Sequence, residues 1–118
     1  MSLRIAGRAV VAMLLLAAAA AHADVGMVIW KNHDCGFFIL QMKSGYGLYE
    51  WSAGPYPNDG DVLEGELKIA GELKVNNKTA DVPTTIFLEA FAPKRAGISP
   101  RIPGRCKAKP GDPPFDAQ

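Results

Sequence analysis

The sequence predicts an all-β protein: a small antiparallel barrel of five to six strands, SH3-like or OB-like, behind an N-terminal signal helix. Three observations carry this reading. Apolar and charged residues alternate at period two from Asp61 to Asn76. The other apolar runs are short, rich in branched and aromatic residues, and separated by Gly-, Pro- and Asn-containing turns. No segment beyond residue 23 reads as a helix.

The first element is an export signal. Met1 to Arg8 carries Arg4 and Arg8 and no acid, and Ala9 to Ala21 is a run without a polar side chain. Ala21-His22-Ala23 then places small residues at both positions that a signal peptidase reads. Cleavage is expected after Ala23, so that residues 1–23 are removed. The apolar run is shorter than the ~20 residues of a bilayer-spanning helix, so the mature form is not expected to span a membrane. The separated arginines do not form a twin-arginine signal, and the alanine-dense run has a bacterial character. Removing 23 of 118 residues leaves 95, one domain's worth, in the periplasm or outside the cell. Removal also takes His22 and two bases, leaving one histidine and 11 basic against 12 acidic residues.

Val25 to Trp30 reads as the first strand and Lys31 to Asp34 as a polar turn. Cys35 to Met42 is the strongest strand signal; Lys43-Ser44-Gly45 turns it back, and Tyr46 to Trp51 returns as the second arm of a hairpin. Ser52 to Gly60 holds two prolines and an Asp-Gly, and is a loop by turn chemistry. In the alternating stretch, Leu63, Leu67, Ile69, Leu73 and Val75 fall on one face, and Glu64, Glu66, Lys68, Glu72 and Lys74 on the other. As one strand it would span roughly 50 Å, too long for so small a domain. Either it bends at Gly71, or Ala70-Gly71 is a tight turn between two arms. Asn76 to Asp81 is a further turn, and Pro83 opens the last strand, Thr84 to Phe91.

Residues 24–92 are therefore expected to form the barrel. Residues 93–118 form a proline-rich basic tail without regular structure, disordered at its end. Cys35 and Cys106 are the chain's two cysteines, and in an oxidising compartment they should pair. The bridge tethers the tail, and a loop of that length adds about 4 kcal/mol by chain entropy.

Catalytic constellations do not emerge. His33-Asp34-Cys35 alternate in direction on an extended backbone, and the expected disulfide removes the thiolate. One histidine and two paired cysteines leave too few ligands for a zinc site, so no metal or cofactor is expected. Glu64 and Glu66 lie beside Lys68 on a solvent face. No serine sits in a nucleophile-elbow setting. The body from Glu50 to Glu89 has eight acids against three lysines, which disfavours nucleic acid as a partner. What remains are aromatics near the hairpin and loop: Tyr46, Trp51 and Tyr56 are the candidate binding residues.

The run Cys35-Gly36-Phe37-Phe38-Ile39-Leu40, with Gly45-Tyr46-Gly47-Leu48-Tyr49-Glu50-Trp51 and Gly60-Asp61-Val62, resembles a pattern in small exported bacterial proteins of undescribed function. It covers about 30 residues of the centre, and no site residue comes with it. The residues point to an exported, non-enzymatic interaction module. Its expected partner is a protein of the cell envelope, bound or inhibited through the Ser52–Gly60 loop, or else a glycan stacked on the three aromatics.

Overall fold

In a computed structural model of the chain, residues 23–106 are described. The expected signal helix and the end of the tail lie outside them. The strands are β1 (Asp24–Asn32), β2 (Phe37–Met42), β3 (Gly45–Ala53), β4 (Val62–Gly65), β5 (Gly71–Asn77) and β6 (Val82–Ala92). Every pairing is antiparallel, and the order β1-β2-β3-β6-β5-β4 closes on itself. Closure comes from β4 returning beside β1, where Asp24 pairs Gly65 and Met27 pairs Val62. A three-strand meander with the fourth strand beside the first is a Greek key, and closing it removes the exposed sheet edges.

The expected hairpin is present, with Gly45 at a φ of 144° opening its second arm. Its first arm begins two residues later than the sequence suggests. Cys35 and Gly36 belong to the preceding turn, where Gly36 has a φ of 80°. The last strand runs longer than expected and carries Pro83 inside it, paired with Asn76.

The alternating stretch resolves as two arms. β4 and β5 pair through Leu63–Asn77 and Glu64–Asn76, with the chain reversing between them and Gly71 at a φ of 101°. Leu63, Leu67, Leu73 and Val75 face the interior as expected. Ile69 does not: it is 51% exposed, because it falls in the reversal, where the strand period no longer holds. Leu67, also in the reversal, is drawn inside. Its carbonyl accepts the buried Tyr49 hydroxyl, and its N–H donates to Asp24 Oδ2 at 3.2 Å.

Two cores result. The barrel interior holds Val28, Phe38, Leu40, Tyr49, Leu63, Leu73, Val75 and Ile86. A second cluster lies on the other face of β2 and β3, where Phe37, Ile39 and Leu48 meet Ala90, Ile98 and Cys106. This is why β2 is apolar at nearly every position: it is buried on both faces. The cover of the second core is the segment expected to be irregular. It forms a helical turn at Arg95–Ile98 and 3-10 turns at Ser99–Arg101 and Gly104–Cys106. Prolines suit such turns, since Pro100 stands near a turn start, where an N–H would have no partner. Three apolar anchors, Ile98, Ile102 and Cys106, then hold the segment to the sheet. The Cys35–Cys106 bridge fastens it there, with Cα atoms 5.5 Å apart.

Candidate functional site

Period two decides first which aromatics can meet. Tyr46 and Trp51 are five residues apart on β3, roughly 16 Å of strand. Tyr46 is half-buried at the edge of the second core, with the Arg95 guanidinium 5.8 Å from its ring centroid. Trp51 is at the other end of the strand and 36% exposed. Tyr56 joins Trp51 there, with ring centroids 5.9 Å apart. The structure therefore brings together two of the three candidate aromatics and leaves Tyr46 outside the group.

Tyr56 is the hub of this end of the barrel. Its ring stacks on His33 at 4.3 Å, meets Phe38 edge-on at 6.0 Å, and has Lys31 Nζ 6.0 Å from its centroid. Its hydroxyl donates to the Phe37 carbonyl at 2.8 Å. Burial, with a smaller contribution from Asp59, pushes this phenol above the ordinary tyrosine range. It acts here as a neutral hydrogen-bond donor and structural anchor. His33 and Lys31 were not legible as neighbours of Tyr56, since more than twenty residues separate them and no local pattern links them.

The loop after β3 is held along its length. Trp51 Nε1 donates to the Gly54 carbonyl at 2.9 Å, where Gly54 has a φ of 82°. Thr84 Oγ1 lies 3.0 Å from the carbonyls of both Ala53 and Pro55, and its one proton serves the two. Pro57 is fully buried. The buried Asp61 carboxylate accepts from Asn58 N at 3.0 Å and Asn77 Nδ2 at 2.8 Å. Gly60 N donates to Val28 O at 2.8 Å, and Lys31 Nζ to Asn58 Oδ1 at 3.1 Å. Between these fixings Ser52, Ala53, Gly54, Pro55, Asn58, Asp59 and Gly60 remain exposed. The pinning residues Asp61, Asn77 and Thr84 are the buried polar residues of the barrel, and in the sequence they look like ordinary turn and strand positions.

The His33-Asp34-Cys35 triplet is a turn built on Asn32, whose Oδ1 accepts from Asp34 N at 3.1 Å and Cys35 N at 3.3 Å. Cys35 is in the disulfide. At the opposite end of β3 an open groove of about 490 Å³ is lined by Val25, Met27, Met42 and Val62, with Lys43 and Lys68 beside them. Among the described residues, no three His, Cys, Asp or Glu side chains group to hold a metal, and no helix is long and apolar enough to cross a membrane. No protein-family model, curated protein or solved structure matches this chain.

Proposed function

We propose that the chain is an exported, non-enzymatic interaction module that presents the Ser52–Gly60 loop and the Trp51 ring to a protein of the cell envelope. The observation that supports this most is the held loop: its backbone is fastened by Thr84, Asp61 and Tyr56 while its outer residues stay in solvent. A surface ordered before contact loses little conformational entropy on binding, which is the physical advantage of a rigid inhibitory or docking loop. Trp51 supplies a large apolar contact at its edge. Export rests on the signal-like residues 1–23, and the disulfide is compatible with it. A glycan reading has a narrower base, because Tyr46 stands apart and Tyr56 is half-buried, leaving Trp51 as the exposed ring of the three candidates.

The test is affinity capture from envelope extract with the disulfide-bonded protein and three variants. A protein retained by wild type and by Tyr46→Ala, and lost with Trp51→Ala, is the expected outcome. Retention that survives Trp51→Ala and Pro55→Gly together refutes the loop as the contact. Intact mass of the exported product should show a chain beginning at Asp24 and two hydrogens lighter than its reduced form. A product beginning at Met1 would refute cleavage.

A further inference from the structure

Six of the chain's thirteen basic residues fall in one segment. Between Ala90 and Gly111 there are six bases, Lys94, Arg95, Arg101, Arg105, Lys107 and Lys109, and no acid. The fold decides where the described ones point. Ile98, Ile102 and Cys106 recur every fourth residue and turn toward the sheet. Arg101 and Arg105, each one position earlier, are exposed on the outer side, as is Lys94. The segment is thus a strap, apolar beneath and cationic above, locked at its end by the disulfide.

Two of the guanidinium groups are laid on rings. Arg105 lies 5.0 Å over the Phe37 centroid, and Arg95 lies 5.8 Å over that of Tyr46. Stacking restrains a long side chain, and Arg105 remains exposed, so its charge is held at the surface. Phe37 lies on β2, and Tyr46 lies opposite Gln41 of the same strand, so roughly 13 Å of strand separates the two stacked groups.

We infer that the strap from Lys94 to Arg105 is a binding face for an acidic polysaccharide, a flexible linear chain bearing carboxylates. Such a chain can follow a single row of cations and keep clear of the rest of the molecule. Duplex nucleic acid fits less well, because a rod with a charge about every 1.7 Å would also meet the acidic body between Glu50 and Glu89. An anionic bilayer fits less well too. The other exposed strap residues include Ala96, Gly97, Pro100 and Gly104, and no exposed large apolar side chain stands there to enter the interface. The strap shares no residue with the Trp51 loop, and its binding does not depend on that loop's partner.

The probe is polygalacturonate, titrated into the full disulfide-bonded protein by calorimetry at low ionic strength. Binding should weaken steeply as salt rises from about 0.05 to about 0.5 M, as exposed charges become screened. Arg101→Glu with Arg105→Glu should weaken it by roughly tenfold or more, since like charge then faces the carboxylates. Arg101→Glu alone, which leaves the Arg105–Phe37 stack in place, should give a smaller loss with unchanged circular dichroism. The double Lys substitution should fall between wild type and reversal. Absence of binding, equal binding to neutral dextran, or full affinity in the folded Arg101→Glu variant overturns the inference. Tighter binding to a DNA duplex or to phosphatidylglycerol vesicles also overturns it, and reassigns the face.

Discussion

Replacing Gly47 with Ala tests the barrel core at its tightest point. A Cβ on Gly47 would lie 2.5 Å from both Cε2 and the hydroxyl of Tyr49. Tyr49 is fully buried, and its hydroxyl donates to the Leu67 carbonyl across the interior. A fully buried ring is packed on all sides, so making room for that carbon strains or breaks the bond. Overpacking a core costs about 1–3 kcal/mol. An orphaned buried carbonyl costs about 1–3 kcal/mol more. Against this, Ala narrows the unfolded ensemble by about 0.4–1 kcal/mol. The midpoints give an expected net loss of about 3 kcal/mol, or roughly 12–25 °C in Tm for a domain this size. Urea melts followed by circular dichroism read it as a lower midpoint at constant slope. Gly36→Ala is the control: its φ is 80° and nothing lies within 4 Å of the added carbon, so only backbone strain of about 1–2 kcal/mol applies. Tyr49→Phe should cost less in the Gly47→Ala background than alone, because the Leu67 bond is already lost there. A Gly47→Ala protein as stable as wild type would refute the packing of the Tyr49 ring over Gly47.

Three further perturbations follow from the same structure. Reducing the bridge, or Cys35→Ser with Cys106→Ser, should remove about 4 kcal/mol and raise dye binding as the second core opens; a melt unchanged by reduction would contradict the strap's role. Thr84→Val removes the donor to Ala53 and Pro55, so amide exchange in the Ser52–Gly60 loop should quicken while β1 and β2 stay protected, and uniform exchange in both proteins would show that the loop is not held there. Burial raises the Tyr49 and Tyr56 phenols, each with a smaller contribution from a nearby acid. Their raised folded values stabilise the protein fully below the unfolded tyrosine value near 10, and that stability is lost as pH climbs above it. Tyr56→Phe should therefore flatten the alkaline decline in Tm, and a decline of unchanged steepness would count against the buried phenol.

Several of these features were legible in particular residues. The hairpin, expected from Cys35 to Trp51 and found from Phe37 to Ala53, follows from an apolar run, a Gly turn and an aromatic return, all local. Alternation at Leu63, Leu73 and Val75 marks an inward face wherever the backbone is extended, and Ile69 shows the limit, since period two means nothing in a reversal. The apolar character of β2, interrupted at Gln41 alone, carries a further signal: a strand without polar alternation implies cover on both faces. A tail with six prolines and few apolar residues looks unstructured by composition, yet three anchors and a disulfide suffice to fold its first part onto a sheet already made.

The sequence by itself determined the β class, the strand faces and the pairing of Cys35 with Cys106, because these depend on side-chain period, turn chemistry and the presence of just two thiols. Tertiary structure decided that β4 closes on β1, that Tyr56 meets Trp51 and His33 while Tyr46 stands apart, and that the basic segment becomes a fixed cationic strap. Those are contacts between residues far apart in the chain, and they arise from closing the barrel and covering β2. No local pattern encodes which distant groups that closure brings together.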